Sequence, residues 1–148
     1  VKFWNVYGIE KDHEKAHVIT DFIRKGFEEG EFEMMTDGTE ERQFLYAEDC
    51  CEGLETVMTN YTDFKPEDPL HITSFNSTSI KDVAHIIQGC FNRIDKYDVK
   101  IKPGLAKDSV QLDKRNEADI FISSWWLPKT GIDKGIQKVF DEMRKEYQ

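Results

Sequence analysis

Phe32-Glu33-Met34-Met35-Thr36-Asp37-Gly38-Thr39-Glu40-Glu41-Arg42-Gln43-Phe44-Leu45-Tyr46-Ala47-Glu48-Asp49 is the stretch on which the reading turns. Phe32 to Met35 has the composition of a short strand. Asp37-Gly38 is a turn signal, because glycine tolerates positive φ and an Asp side chain can bond the backbone two residues on. Gln43 to Ala47 reads as the next strand. Asp49 then stands where a helix N-cap is expected, and Glu52 three residues later gives a capping-box-like pattern. Arg42 is the only cation between Lys25 and Lys65. Such an arginine is either a solvated ion pair, which contributes little, or an anion clamp gripping a phosphate through two parallel hydrogen bonds.

Toward the N-terminus, Val1 to Tyr7 is rich in aromatic and β-branched residues and reads as a strand ended by Gly8. A strand at the first residue has no preceding segment to pair with, so its partners are expected elsewhere, chain outside these residues being one place for them. Ile9 to Lys15 reads as loop. Val18, Ile19, Phe22, Ile23 and Phe27 recur at helical spacing, with Gly30 as the stop. Gly26 inside that helix costs about 1 kcal/mol relative to Ala.

Toward the C-terminus, Cys50, Leu54, Val57, Met58 and Tyr61 make the expected buried stripe of a helix. Leu70 to Ser74 is a predicted strand. Ser79 with Asp82 is a second N-cap signal, opening the clearest amphipathic helix: Ile80, Val83, Ala84, Ile87, Cys90, Phe91 and Ile94. Asp98 to Lys102 reads as a strand closed by Pro103-Gly104. Leu105 to Asn116 is polar. An apolar stretch to Leu127 carries Trp125-Trp126, and Ile132, Ile136, Val139, Phe140, Met143 and Tyr147 mark a last helix. Strands and helices thus alternate without a regular βαβ rhythm, as in a small mixed α/β or α+β lobe.

The 148 residues suffice for about one domain with a real core. A net charge of −9 argues against a general nucleic-acid binder, which needs a basic stripe. It does not exclude a small anionic ligand held by arginines in a cleft. No apolar run is long enough to span a bilayer, so no membrane partner is expected. No secretory leader is evident and the chain does not begin with Met, so a processed or excised piece is expected. Cys50, Cys51 and Cys90 make no disulfide framework; they read as buried packing thiols in a reduced, cytoplasmic setting.

Catalytic motifs are missing. There is no Gly-rich phosphate loop and no Gly-x-Ser-x-Gly elbow. His13 and His17 are spaced i, i+4 without the accompanying glutamate of a metalloprotease, and the expectation is no metal. His71 and His85 read as packing residues. Two separated arginines remain, Arg42 and Arg115, each near a turn. Trp4, Phe32, Met34, Trp125 and Trp126 are available as flat apolar walls for a base or sugar.

Four segments in register carry a resemblance. Phe3-Trp4-Asn5-Val6-Tyr7-Gly8 resembles the "F-F-N-V-Y-G-P" segment of the extended short-chain dehydrogenase/reductases, the NAD-dependent nucleotide-sugar epimerases and dehydratases. Asp37-Gly38-x-x-x-Arg42-x-Phe44-x-Tyr46-x-x-Asp49 is similar to their "G-D-G-x-x-x-R-D-F-x-Y-V-x-D" segment. Ser79-Ile80-x-Asp82-Val83-Ala84 resembles their "S-x-x-E-L-A" helix start. Lys114-Arg115 to Asp119, then Trp126-Leu127-Pro128-Lys129-Thr130 and Gly135-Ile136, resembles their closing segment.

The resemblance implies an α/β fold: the C-terminal substrate-binding part of an extended Rossmann-type epimerase, with the N-terminal Rossmann half absent. Residues 1–148 would form one lobe, with residues 1–8 a late strand of the missing Rossmann domain. It implies that Asn5 hydrogen-bonds the diphosphate of a nucleotide sugar, UDP- or GDP-linked, and that Arg42 and Arg115 contact its phosphates. It implies that Phe32 and Met34 line the base pocket, and that the nicotinamide end of NAD or NADP approaches Phe3 and Trp4. Asp49 matches a position taken as a helix cap; Asp119 either contacts ribose or caps the short helix after it.

The departures shape the expected function. The family binds its cofactor through a Gly-x-x-Gly-x-x-Gly turn and works through Tyr-x-x-x-Lys with a nearby Ser/Thr, and none of these is present. Ile9 replaces the family proline, Lys2 stands where an arginine is common, and the segment before Trp126 is several residues shorter. The expected function is the nucleotide-sugar-binding portion of an isomerase or dehydratase that binds no cofactor and turns nothing over by itself; the alternative is a non-catalytic binding or scaffold module. A Rossmann strand stripped of its sheet would expose Phe3, Trp4, Val6 and both strand edges. It is expected to be rearranged, frayed or paired with a second copy in a homo-oligomer.

Overall fold

The computed structural model describes residues 1–10, 12, 16–94, 97–108 and 117–148. The first strand of the sequence reading is two strands. β1 (Lys2–Phe3) runs parallel to β5 (His71–Ile72), and β2 (Asn5–Tyr7) runs parallel to β4 (Glu41–Tyr46). Trp4 is the break between them. One edge of each strand is thus paired with a later segment of the chain.

β4 is the middle of a three-stranded sheet, flanked by β2 and by β6 (Ser77–Ser79), which runs antiparallel to it. β6 is short and entirely polar, so hydrophobic periodicity gave no sign of it. β3 (Glu31–Glu33) pairs in parallel with β7 (Lys100–Lys102). The parallel pairing of β2 with β4 needs a long crossover, which is supplied by helix α1 (Val18–Glu29) and β3.

Residue alternation along β4 decides what each face meets. Phe44, with Tyr7 beside it, joins the larger core with Ile19, Phe22 and Ile23 of α1 and Val83, Ile87 and Phe91 of helix α3 (Ile80–Asn92). Helix α4 (Ile132–Met143) completes it through Ile136, Val139 and Phe140. Leu45 points the other way, into a smaller core with Cys50, Ile72, Ile122 and Trp126. Helix α2 (Ala47–Thr59) covers that second face. Gln43 shares this face and is buried; Thr73 Oγ1 donates to its Oε1 at 3.1 Å.

Aromatic contacts bind the larger core. Phe22 stacks on Phe32 at 4.5 Å, and Phe27 meets Phe91, Phe140 and Tyr147 at 4.7, 5.3 and 4.7 Å. Such pairs contribute about 0.5–1.5 kcal/mol each beyond their burial. Gly26 has a packing reason: a Cβ there would lie 2.4 Å from the Phe91 ring. Gly30 ends α1 in the left-handed conformation, as its place in the sequence requires.

Ser79 caps α3 as expected, accepting the Asp82 N–H at 3.0 Å. Asp49 does not cap α2. The helix begins two residues earlier, at Ala47 with Tyr46 in the N-cap place, and Asp49 lies inside the first turn. The buried stripe of α2 also ends sooner than expected, since Met58 and Tyr61 are exposed. Of the three thiols, Cys50 and Cys90 are buried while Cys51 is exposed, which corrects its reading as a packing residue. No described helix is long and apolar enough to cross a membrane.

Candidate functional site

Asn5 opens β2 and Arg42 lies on β4, two residues before Phe44 and therefore on the same face. The register pairs Asn5 directly with Phe44. Both side chains line a cavity of about 930 Å³ together with Phe3, Trp4, His17 and Glu117. Val18 and Ile19 from the first turn of α1, and Ile80 from the first turn of α3, form other parts of its wall. Two helix N-termini thus meet one cavity, and their partial positive charge favours an anion there. Of the residues predicted from the sequence, the fold brings Phe3, Trp4, Asn5 and Arg42 together.

Arg42 is held from two sides. Its Nη1 donates to the Glu41 carbonyl at 3.1 Å, and its Nη2 donates to the Asp108 carboxylate in an ion pair. The two side chains are 28% and 14% exposed, so this pair sits at the cavity edge, shielded more than a rim pair. Asn5 is exposed, and its Nδ2 donates to the Gln43 carbonyl over 3.4 Å. Trp4 is half-buried: Lys2 Nζ lies 5.2 Å over its ring, and the His71 ring tilts against it at 5.9 Å.

The entry to α1 has its own carboxylate. Glu10 accepts from the His17 backbone N–H at 2.7 Å, from the Thr20 hydroxyl and from the His17 ring. Burial pushes the Glu10 carboxyl upward, but the hydrogen bonds from Thr20 and His17 outweigh it and hold the group below its ordinary range.

Phe32 and Met34 stand apart from the cavity. Both are buried in the larger core, Phe32 against Phe22. Asp119 is exposed and stands just before the N-cap Ile120 of the short 3₁₀ turn Phe121–Ser124: its Oδ1 accepts the Phe121 N–H at 2.8 Å, and its own N–H donates to His71 Nδ1 at 2.8 Å. Arg115 and its neighbour Lys114 lie outside the described residues, as does His13. Among the described residues no cluster of three His, Cys, Asp or Glu side chains is placed to hold a metal.

Sequence reasoning missed Glu10, Asp108 and Glu117, and considered His17 only as a metal ligand. His17 carried a signal, standing just before the first periodic residue of a helix, where side chains and N–H groups face whatever the helix points at. Asp108 carried none; only the fold brings it to Arg42. The cavity offers a cation, an amide, helix N-termini and aromatic walls, which suits an anion with a flat or apolar portion. Burial and the Asp49 charge push the Tyr7 phenol far up, and burial pushes the Cys90 thiol up to about 11, out on the α3–α4 side.

The fold is the α/β fold of solved epimerase and dehydratase structures, of which this chain spans about 45%. The family found is the one the sequence resembles, since the model of the NAD dependent epimerase/dehydratase family matches residues 1–72. A curated GDP-L-fucose synthase from Sinorhizobium fredii is 28% identical over 144 residues, covering 93% of this chain and 44% of its own. A UDP-glucuronic acid 4-epimerase from Bacillus cereus, solved with a UDP-linked fluorinated sugar and NAD, superposes with a TM-score of 0.75. It is 19% identical, over 98% of this chain and 44% of its own. A dTDP-glucose 4,6-dehydratase from Bacillus anthracis, solved with NAD, gives a TM-score of 0.68 at 19% identity, over 98% and 44% of the two chains. The chain spans less than half the length of each of these proteins.

Proposed function

We propose that this chain is the nucleotide-sugar-binding portion of an NAD(P)-dependent nucleotide-sugar epimerase or dehydratase. Residues 1–148 make one substrate-binding lobe, with residues 1–8, which hold β1 and β2, belonging to the late part of a Rossmann half that lies outside these residues. The observation that carries the reading is the convergence of Asn5 and Arg42, far apart in sequence, on one cavity with two helix N-termini in its wall. A diphosphate placed there would meet the Arg42 guanidinium and the Asn5 amide, and the sequence resemblance gives Arg115 a phosphate contact as well. The open edges of β1 and β2 are where the other half would dock.

NAD or NADP, if bound beside Phe3 and Trp4, would supply hydride transfer at its nicotinamide ring. Phe3 is 51% exposed at the cavity and Trp4 lies beside it, which fits one wall of a nicotinamide site. The sequence holds no Gly-rich turn for the dinucleotide's phosphates. This chain's share in the chemistry is therefore to bind and orient the sugar nucleotide, and proton transfer belongs to groups outside it.

The test joins turnover with binding. The 148-residue chain with NAD(P) added should convert no sugar nucleotide, yet bind UDP- or GDP-linked sugars saturably, with binding lost in Arg42→Ala and Arg115→Ala. Steady-state turnover, or no binding by the folded chain, would overturn the proposal. The alternative, a non-catalytic module of the same descent, rests on the same cavity and is favoured if the coding sequence starts just before Val1.

A further inference from the structure

The Asp108 carboxylate sits on the guanidinium proposed to receive the ligand. Its place is fixed by backbone pairing: Gly104 N–H donates to the Thr36 carbonyl at 3.1 Å, Asp37 N–H donates to the Ala106 carbonyl at 2.7 Å, and Thr36 and Ala106 form a parallel bridge. Asp108 follows two residues later and meets Arg42. A glycine at 104 is required for this approach, because a Cβ would lie 2.4 Å from the Met34 carbonyl oxygen and 2.6 Å from that of Thr36. The contact is thus anchored beside the Asp37-Gly38 turn that leads into β4, on which Arg42 lies.

We propose that Asp108 is an internal competitor for Arg42 and sets how strongly charged a ligand must be to bind in the cavity. This rests on the reading of Arg42 as a phosphate clamp. A guanidinium presents a fork of donors that one carboxylate or one phosphate can fill. An incoming anion must displace or share Asp108, and two carboxylates near the site, Asp108 and the cavity-lining Glu117, raise the negative potential it meets. A monoanion gains nothing by exchanging with the resident carboxylate. A diphosphate carries more charge and more acceptor oxygens and reaches Asn5 at the same time. Asp108 is therefore a specificity-determining residue acting through Arg42, and it would discriminate for diphosphates over carboxylates and single phosphates.

Inorganic pyrophosphate is the probe, since it is independent of base and sugar. Its affinity for the 148-residue chain is measured by NMR titration for wild type, Asp108→Asn, Asp108→Glu and Arg42→Ala, with thermal unfolding confirming that each is folded. The proposal expects Asp108→Asn to bind roughly three- to tenfold tighter, the span for removing a competing ion pair at a half-shielded site. Asp108→Glu, which restores the carboxylate, should return toward wild type, and Arg42→Ala should bind weakest. Wild-type binding that is lost by Arg42→Ala but unchanged or weakened by Asp108→Asn would overturn the competitor role while leaving the clamp intact. Equal binding by wild type and Arg42→Ala, or none by any folded variant, would overturn the clamp and the competitor together. If Asp108→Asn fails to fold, Asp108→Ala takes its place with the same expectations.

Discussion

Asp49, in the first turn of α2, accepts the backbone N–H of Thr130 at 2.8 Å, tying that helix to the segment that leads into α4. The carboxylate is only 3% exposed, so its hydrogen bond is made in a shielded place. Removing one partner of a buried hydrogen bond leaves the other unsatisfied, at about 1–3 kcal/mol. Asp49→Ala should therefore destabilise the chain by about that amount in urea unfolding, with little effect on ligand binding. An unchanged midpoint would show that the tie carries no stability.

Tyr7 and Gly135 predict a coupled pair. A Cβ on Gly135 would stand 1.9 Å from the Tyr7 hydroxyl, which is buried without a hydrogen-bond partner among the described residues. Gly135→Ala should cost about 1–3 kcal/mol by overpacking. Tyr7→Phe removes an unsatisfied polar atom and should be neutral or stabilising. The double variant should recover part of the loss, and a double-mutant cycle in denaturant reads it directly; strict additivity would contradict the contact.

His71 gives the chain a pH-dependent element. Burial and then the Lys2 charge lower its pKa below the ordinary 6.5, and Asp119 only partly opposes them. Its Nδ1 accepts the Asp119 N–H, so the neutral ring is the form that fits. An unfolded chain then binds more protons than the folded one as pH falls below about 6.5. The stability from His71 is complete above that value and is lost as pH falls through the lowered folded one. Comparing unfolding midpoints at pH 7.5 and 5.5 checks this: the drop should be smaller in His71→Gln than in wild type.

Much of the architecture was legible because it rests on local signals. The Val18-to-Phe27 periodicity with Gly30 marks α1, Ser79 with Asp82 marks the start of α3, and Asp37-Gly38 marks a turn, where Gly38 indeed takes a positive φ. Asp49 misled because acidic residues suit both an N-cap and a first helical turn, and sequence alone does not separate positions three residues apart. β6 has no apolar residue to announce it and exists only because β4 pairs with it. Of the site, Asn5 and Arg42 stood out by residue type and motif, and the fold puts them on one cavity. Phe32 and Met34 have the composition of a pocket wall and equally of a core strand, and burial places them in the core. Asp108 is a contact of tertiary origin, with nothing nearby in sequence to reveal it.

Arg42→Ala should leave the fold standing. The guanidinium is partly exposed, and a pair of this kind contributes about 1 kcal/mol or less. Its thermal midpoint should move by only a few degrees, by the usual scaling for a chain of this size. A collapse of the structure would mean that the Arg42–Asp108 pair is a structural strut, with no clamp function to assign.

The central claim is that the cavity holding Asn5 and Arg42 receives the diphosphate of a nucleotide sugar. Calorimetric titration of the folded chain with UDP- and GDP-linked sugars, beside Arg42→Ala, tests it most directly. The account predicts saturable one-to-one binding of at least one of the two, weakened roughly tenfold or more in the variant, as expected for loss of a charge-assisted bidentate contact. Binding of equal strength in wild type and Arg42→Ala, or no heat of binding from either ligand, would contradict it.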